Sequence, residues 1–372
     1  MQTLDFPAVD RYGPEKVVFV TEPSTGLEAV VVIDNVAAGP AIGGTRMAPD
    51  VTVDEVARLA RAMTLKNASA GLRHGGAKAG IKADPRMPYE DKVRLVRAFG
   101  AAIRPLTDYV PGPDMGLDEG LMAHLRDECG RAVGLPAVLG GIPLDELGAT
   151  GYGLAVAADV AHELGLVDLV GARVVVQGFG SVGMAAARFL VERGARVVAV
   201  SDSRGAVADP TGLDVAALVA HKRSGEPVST FSGGEQAPAD DLVAHDCDIW
   251  VPAARPDVFH GGNADDVKAR LVLQGANIPA TAEAEAILHE RGVVCVPDFI
   301  ANAGGVICAS VEYAGGTAGQ AFAAIAEKVA TNTRLVLETA LRDGVAPRVA
   351  ADALAQARVE EAMTYRRAFA RA

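Results

Sequence analysis

Two lysines and one aspartate in the first third of the chain could do chemistry together. Lys66 follows Leu59 and Met63 at helical spacing, so it should project from the apolar face of a helix, where an unpaired ammonium group costs free energy. Lys78 stands in a glycine-rich turn, and Asp114 stands on a stiff loop of glycine and proline. Two ammonium groups and a carboxylate suit an anionic amino acid, because one lysine can hold its carboxylate while the other two groups transfer protons. Each lysine alone also fits a structural role, as a side chain covering core surface or as an exposed loop residue.

A second group of residues predicts a dinucleotide site in the middle of the chain. Residues 174–183 form a strand pattern that runs into GxGxxG and then into a helical pattern. Gly178 permits the tight turn, Gly180 lets the backbone approach a pyrophosphate, and Gly183 allows close packing of helix on strand. Asp202 ends the next strand, 19 residues after Gly183, where the acid that binds a ribose belongs. This context favours a dinucleotide site over a structural glycine turn.

The residues around Asp202 leave two cofactors open. The Asp202 carboxylate could accept the ribose hydroxyls, which favours NAD. Ser203 and Arg204 could instead hold the 2′-phosphate of NADP, with Asp202 turned away. We therefore expect NAD, with NADP possible.

The elements that must position these residues indicate an α/β chain of two domains. The 372 residues suit two domains, and a Gly/Pro cluster at 139–143 marks a boundary. Before it, short strands alternate with helices, one of which begins at a capping box, Thr52 to Glu55. After it, unalternating hydrophobic strands predict a Rossmann-type, doubly wound parallel sheet. Two Ala-rich helices near 320–343 and 347–370 close the chain.

Composition and charge exclude several classes of protein. Half of the residues are hydrophobic and 22% are charged, which allows a sizeable core and excludes a disordered chain. The net charge of −12 argues against nucleic acid as a partner. No apolar run could span a membrane, and no signal peptide is visible, so we expect a cytoplasmic protein. The four cysteines and seven histidines show no ligand spacing, so no metal is expected.

The ordered motifs of the chain resemble the glutamate/leucine/phenylalanine/valine dehydrogenase family over nearly its whole length. The resemblance rests on the segments GPAIGGTRM at 39–47, MTLKN at 63–67, GGAKAGI at 75–81, ATGYG at 149–153, QGFGSVG at 177–183, GAN at 275–277 and PDFIANAGG at 297–305. The first three motifs are closest to the leucine and phenylalanine dehydrogenases. The resemblance implies oxidative deamination of an L-amino acid to a 2-oxo acid and ammonia, and the reverse reaction.

The resemblance also implies residue roles. Lys66 would bind the substrate α-carboxylate, and Lys78 and Asp114 would be the catalytic lysine and aspartate. The other substrate-binding residues would be Ile42, Gly43, Met63, Gly112, Asn302, Val306 and Ala309. The cofactor would be bound by Thr150, Gly178, Phe179, Gly180, Ser181, Val182, Gly183, Asp202, Ser203, Arg204, Ala253 and Asn277.

The substrate side chain would meet an apolar pocket. Glutamate-specific relatives have a lysine where this chain has Ile42, and a serine where Ala309 falls. Without both, a γ-carboxylate would be buried unpaired at a cost. We therefore expect a hydrophobic substrate: leucine, valine, isoleucine or phenylalanine. The alternatives are a glutamate dehydrogenase that binds its side-chain carboxylate differently and, in another class, a non-catalytic nucleotide-sensing paralogue.

The resemblance finally implies a domain arrangement. Residues 1–140 would form a substrate and oligomerisation domain, completed by the C-terminal helices at 330–372. Residues 141–329 would form the NAD(P)-binding Rossmann domain. We expect a homo-oligomer, because members of the family form them.

Overall fold

The computed structural model describes residues 7–366, which form two compact units. The first comprises residues 7–143, 306–321 and 354–366, and the second comprises residues 144–305 and 322–353. No helix within the described part of the chain is long and apolar enough to cross a membrane. Each unit has its own sheet.

The helices and strands follow one another in this order. Up to residue 129 they are β1 (Lys16–Glu22), β2 (Leu27–Asn35), β3 (Ala41–Met47), α1 (Val53–Ser69), β4 (Gly75–Ile81), α2 (Tyr89–Ile103), β5 (Tyr109–Pro113) and α3 (Glu119–Cys129). From residue 144 they are α4 (Leu144–Leu147), α5 (Ala149–Glu163), β6 (Arg173–Gln177), α6 (Ser181–Val191), β7 (Arg196–Asp202), β8 (Gly205–Ala208), α7 (Val215–Arg223), β9 (Glu235–Ala237), β10 (Ile249–Pro252), β11 (Leu271–Leu273), α8 (Ala282–Glu290), β12 (Val294–Val296), α9 (Asp298–Ala301), α10 (Gly304–Tyr313), α11 (Ala318–Asp343) and α12 (Pro347–Thr364).

The sheet of the first unit has the order β1-β2-β4-β3-β5. Strand β3 runs parallel to both of its neighbours, whereas β2 pairs antiparallel with β1 and β4. Apolar residues of α2 and α3 bury one sheet face, and Val56 and Ala60 of α1 pack on Val30 and Val32 of β2 on the other. All seven residues of β4 are buried, as expected for a strand with both faces covered.

The sheet of the second unit has the order β12-β11-β10-β6-β7-β8-β9. The strands from β12 to β7 are parallel, which confirms the predicted doubly wound fold. The short strands β8 and β9 add an antiparallel edge that the sequence analysis did not predict. Strand β8 begins three residues after Asp202 and β9 follows α7, and their few residues gave no clear alternating pattern.

One expectation about the residues with candidate chemistry was wrong and one was right in part. Lys78 lies on β4 rather than in a turn. Asp114 stands outside the strands as expected, but the Gly/Pro residues before it, 111–113, end β5 rather than forming a loop. Glycine and proline are poor strand formers, so propensity concealed both strands. The glycines have a packing reason instead: a Cβ atom on Gly76 would lie 2.0 Å from the backbone nitrogen of Thr64 on α1.

Helix ends also differ from the predictions in part. Thr52 caps α1 as predicted by accepting a hydrogen bond from the Glu55 N–H. The Glu55 carboxylate does not complete the capping box, because it accepts from Arg46 instead. Helix α6 begins at Ser181, immediately after Gly180, rather than at residue 184. The predicted end of the last helix at residue 370 lies outside the described residues.

Candidate active site

Lys78 and Asp114 meet in the first unit across an intervening strand. The Lys78 Nζ atom lies 2.7 Å from an Asp114 carboxylate oxygen, although β4 and β5 are separated by β3. Gly44 of β3 leaves the space between them: a Cβ atom there would lie 2.9 Å from the Asp114 Cβ and 3.1 Å from Lys78 Nζ. Lys78 is buried and Asp114 is half-buried. The pair is therefore partly shielded from water and held at contact distance.

Arg46 is a second cation on Asp114. Its Nε donates to the same Asp114 oxygen at 3.1 Å, and another of its nitrogens pairs with Glu55. Burial raises the pKa of Asp114, but the charges of Lys78 and Arg46 outweigh burial and hold that pKa below its ordinary value. Asp114 is therefore ionised at neutral pH and available as a proton acceptor.

Helix α1 brings Lys66 to the first unit. Lys66 is half-buried in the last turn of the helix. Its neighbour Asn67 ties the helix to two strands, because its side-chain nitrogen donates to the carbonyls of Ile42 on β3 and Gly75 on β4. The position of Lys66 relative to these strands thus depends on a buried amide.

An apolar cluster in the same unit contains two of the predicted pocket residues. Ile42 and Ala309 are buried together with Val110 and Val133. Gly112 borders the cluster, since a Cβ atom there would lie 3.0 Å from a Val133 methyl group. A Cβ atom on the predicted substrate residue Gly43 would lie 1.6 Å from the carbonyl oxygen of Ala77, so β3 and β4 approach closely there. Met63 and Val306 are half-buried and are not members of this cluster in the described residues.

The glycine motif of the second unit forms a turn between β6 and α6. Gly178 has a φ of +90°, and a Cβ atom on Gly183 would lie 1.8 Å from the Gly178 carbonyl oxygen. Gly180 is exposed, and among residues 7–366 no atom lies within 4 Å of its would-be Cβ and no side chain caps the helix that follows it. Ser181 and Val182 start that helix, while Phe179 is buried in the core. The free N-terminus of α6 can therefore bind a phosphate.

The Asp202 carboxylate has more hydrogen-bond and ion-pair partners than the sequence analysis expected. One carboxylate oxygen accepts from the backbone N–H of Arg204 at 2.8 Å, and the other pairs with Lys222 and accepts from the Val228 N–H at 3.1 Å. Burial raises the pKa of Asp202, but these partners hold it below its ordinary value. Ser203 and Arg204 are exposed in the turn after β7. Lys222, which the sequence analysis missed, places a cation at this turn.

The remaining predicted cofactor residues, and Asn302, which was predicted to bind substrate, lie near two junctions of the second unit. Asn302 donates to the side-chain oxygen of Asn277 at 3.1 Å, and its own side-chain oxygen is buried without a partner in the described residues. Thr150 on α5 lies near Gly305, whose would-be Cβ is 3.3 Å from its hydroxyl. Ala253 follows β10 and donates its N–H to Gln177 at 2.7 Å.

Two protein-family models match the chain, one over its first third and one over the rest. The model of Glutamate/Leucine/Phenylalanine/Valine dehydrogenase matches residues 140–367, and that of Glu/Leu/Phe/Val dehydrogenase, dimerisation domain, matches residues 14–131. The chain belongs to this dehydrogenase family. The predicted resemblance is thereby confirmed: the protein is an amino acid dehydrogenase, and its family is NAD(P)-dependent.

The individual proteins to which this dehydrogenase is similar are named for different substrates. A glutamate dehydrogenase of Thermotoga maritima is 42% identical over 294 residues, which are 75% of this chain and 70% of the relative. The hetero-hexameric glutamate dehydrogenase of Thermus thermophilus in a Leu-bound form shares the fold with a TM-score of 0.83 and 33% identity, over 96% of this chain and 91% of that one. The L-tryptophan dehydrogenase of Nostoc punctiforme has a TM-score of 0.74 and 25% identity, over 94% of this chain and 96% of that one.

Several residues around the dehydrogenase site were missed because their roles depend on tertiary contacts. Arg46 lies in the motif GPAIGGTRM at 39–47, two residues after Gly44. A charged residue within that motif was the available sign that it belongs to the site. Asn67 stands beside Lys66 in a second motif. Val110 and Val133 gave no signal, because isolated valines occur throughout a core. Within the described residues, no group of three or more His, Cys, Asp or Glu side chains is placed to hold a metal ion.

Proposed function

We propose that this dehydrogenase catalyses the reversible oxidative deamination of an L-amino acid to a 2-oxo acid and ammonia, with Lys78 and Asp114 as the catalytic pair. The contact of 2.7 Å between them across Gly44 is the observation that carries the proposal. A buried ammonium group beside an ionised carboxylate provides a proton donor and a proton acceptor at one place. The family of the chain supports the reaction class.

The residues of the first unit can perform the proton transfers of this reaction. Lys66 would hold the substrate α-carboxylate as an ion pair. The Lys78 ammonium would stabilise the negative charge that develops on oxygen when water adds to the imine carbon. Asp114 would take a proton from that water and return one to the departing amine. Arg46 would keep Asp114 ionised before the first transfer and after the second.

The residues of the second unit fit NAD or NADP. The open space at Gly180, the uncapped N-terminus of α6 and the orphaned oxygen of Asn302 are polar features suited to a dinucleotide. Residues 178–183 would hold its pyrophosphate, and Asn277 and Thr150 would lie near its nicotinamide end. The bound dinucleotide supplies a hydride acceptor for the substrate Cα. NADP is supported as well as NAD, because Lys222 neutralises the Asp202 carboxylate that would disfavour a 2′-phosphate.

Glutamate is the substrate that the named relatives favour. The Thermotoga maritima relative, at 42% identity, is a glutamate dehydrogenase, and so is the Thermus thermophilus structure. These names support the glutamate alternative of the sequence analysis better than its first expectation. A glutamate enzyme would have to bind the γ-carboxylate through a residue other than Ile42 or Ala309.

A hydrophobic amino acid is the second candidate, and one observation favours it. Ile42 and Ala309 are buried in an apolar cluster with Val110 and Val133, where a γ-carboxylate would find no hydrogen-bond donor among the four side chains. The tryptophan dehydrogenase among the similar structures shows that this fold also serves an apolar substrate. The two candidates differ in what faces the substrate side chain.

A substrate comparison with one exchanged residue separates these candidates. The wild type, Ile42→Lys and the control Ile42→Val are assayed with L-glutamate, L-leucine, L-valine, L-phenylalanine and L-tryptophan, each with NAD and NADP. A wild type that prefers glutamate supports the first candidate. A wild type that prefers an apolar amino acid, together with a shift toward glutamate in Ile42→Lys alone, supports the second. No turnover of any substrate supports the nucleotide-sensing alternative.

We also propose the assembly and domain roles that the resemblance implied. The first unit would bind substrate and form the contacts of a homo-oligomer, and the second would bind the dinucleotide. The match of residues 14–131 to a dimerisation domain supports this division. The cytoplasmic location stays a prediction.

A further inference from the structure

Arg348, at the start of α12, connects three segments of the second unit. Its Nε donates to Glu285 of α8 at 2.6 Å. One of its terminal nitrogens donates to Gln274, which follows β11, at 2.8 Å and to Asp298, which begins α9, at 3.0 Å. All three partners are buried, and Gln274 also donates to Glu285 at 2.7 Å. The result is a closed polar network around one guanidinium group.

The charges of this network depend on Arg348. Glu285 and Asp298 are 7% exposed, and burying a carboxylate without a cationic partner costs free energy. Burial alone would lower the pKa of Arg348, but its contacts with Glu285 and Asp298 outweigh burial and raise that pKa. Arg348 therefore stays charged and holds both carboxylates in fixed orientations.

Asp298 passes this orientation on to the loop at 275–278. Its second carboxylate oxygen accepts from the backbone N–H of Ile278 at 2.9 Å, and Ile278 has a φ of +51°, a region that residues other than glycine rarely adopt. One turn further along the chain, Asn302 donates to the Gly275 carbonyl at 3.2 Å and to the Asn277 side chain. The loop is thus held at both ends by residues 298–302.

We propose that Arg348 is a positioning residue for the dinucleotide: it fixes Asp298, Asp298 fixes the backbone at Ile278, and the loop then presents Asn277. The inference rests on the proposed function, since Asn277 is assigned to the cofactor there. The residues that Arg348 contacts, Gln274 and Asp298, lie 74 and 50 positions earlier in the chain. The glycine motif at 178–183 therefore does not point to Arg348.

Two substitutions break the connection at different points. Arg348→Gln removes the fork that joins Gln274, Glu285 and Asp298. Asp298→Asn leaves Arg348 paired with Glu285 and leaves no carboxylate unpaired, but its amide cannot accept from both Arg348 and Ile278. The control is Arg173→Gln, because Arg173 also pairs with two aspartates, Asp246 and Asp248. Arg173 is the first residue of β6, at the end of the strand away from the glycine motif.

Three measurements test the proposal, and the first needs no cofactor. Hydrogen exchange followed by mass spectrometry reports the protection of residues 275–278 in each variant. Fluorescence titration with NADH and NADPH reports dinucleotide affinity, and steady-state kinetics separate the KM for the cofactor from kcat and from the KM for the amino acid. Asp298→Asn decides the outcome if Arg348→Gln does not fold.

We expect both variants to exchange faster in the loop and to bind the dinucleotide about tenfold more weakly, with the KM for the amino acid within about twofold of wild type. Arg173→Gln should match the wild type in all three readouts. Wild-type protection and affinity in the folded variants, or equal losses in Arg173→Gln, would overturn the inference. A wild type that binds neither dinucleotide would overturn the proposed function, whereas the loop exchange would still report whether Arg348 orders the loop.

Discussion

Lys78 Nζ and an Asp114 carboxylate oxygen lie 2.7 Å apart, although their strands are not neighbours in the sheet. The lysine reaches across β3 at Gly44, where any side chain would occupy the space between them. The close packing of the sheet therefore sets the geometry of the proposed catalytic pair. It also explains why the site contains glycine where a strand would ordinarily carry a larger residue.

Gly44→Ala should separate the catalytic pair. The added Cβ would lie 2.9 Å from Asp114 Cβ and 3.1 Å from Lys78 Nζ, closer than van der Waals contact allows. We expect kcat to fall about 100-fold, because displacing reacting groups by an ångström is costly. Steady-state kinetics on the preferred substrate measure the loss.

Gly319→Ala is the matched control for this substitution. Gly319 lies on α11 in the same unit, and its would-be Cβ has only a hydroxyl oxygen at 3.9 Å. The control should keep wild-type kcat. A Gly44→Ala enzyme with unchanged kcat would show that the contact of Lys78 with Asp114 is not needed for turnover.

Arg46→Gln should make activity more sensitive to acid. Lys78 and Arg46 lower the pKa of Asp114 against the opposing effect of burial, so removal of Arg46 should raise that pKa. Since the ionised carboxylate accepts the proton, activity is lost as pH falls through its pKa. The ratio of kcat/KM at pH 5 to that at pH 8 should be lower in the variant than in the wild type.

An arginine remote from Asp114 controls for the loss of charge. Arg94 pairs with Asp91 on the exposed surface of α2, so Arg94→Gln should leave the ratio at its wild-type value. An Arg46→Gln enzyme with the wild-type ratio would contradict the assignment of Asp114 as the proton acceptor.

Lys222→Gln should shift the cofactor preference toward NAD. The substitution removes the cation that neutralises Asp202, so a 2′-phosphate would meet an uncompensated carboxylate. We expect the ratio of kcat/KM with NADP to that with NAD to fall about tenfold. Arg223→Gln, which removes an exposed cation at the neighbouring position on α7, serves as the control. An unchanged ratio would place the 2′-position of the cofactor away from Asp202.

His74 should make stability depend on pH. Burial lowers its pKa below 6.5, although its hydrogen bond to the Pro40 carbonyl opposes the shift. Below pH 6.5 the unfolded chain therefore binds a proton that the folded chain does not, and the free energy of unfolding decreases by at most about 1.4 kcal/mol per pH unit. Above pH 6.5 His74 contributes no pH dependence. Urea unfolding of the wild type and His74→Asn between pH 5 and 8 measures the difference.

The asparagine in this variant can still donate to Pro40 but cannot be protonated. The two proteins should therefore show parallel stabilities above pH 7 and diverge in slope below it. Equal slopes at every pH would contradict a lowered pKa, because His74 would then bind its proton equally well in the folded and the unfolded chain.

Much of the fold was predictable because its signals are local. The strand–glycine–helix pattern at 174–183 identified the dinucleotide-binding fold, since each glycine has a defined role in that turn. The strands β4 and β5 were not predictable from propensity, because glycine and proline are poor strand formers. In β4, Gly76 and Gly80 instead leave room for α1. The family motifs, rather than periodicity, identified Lys78 and Asp114.

Contacts between distant residues explain what the sequence did not reveal. Arg46 contacts Asp114 from a different strand, and Lys222 contacts Asp202 from the far end of α7. Arg348 reaches Asp298 across 50 positions of the chain. In the sequence, an arginine or lysine of this kind cannot be distinguished from an ordinary surface cation. Its partner is identified only in the folded structure.

The most direct test of the central claim is the reduction of NAD and NADP by the wild type and Lys78→Met, followed by absorbance, with L-glutamate and the four apolar amino acids. The account predicts turnover of at least one of these substrates by the wild type and a loss of about 1000-fold in kcat in the variant. Both proteins should bind NADH equally, because Lys78 lies in the unit without the glycine motif. Turnover that survives in Lys78→Met, or a wild type inactive on every substrate, would contradict the account.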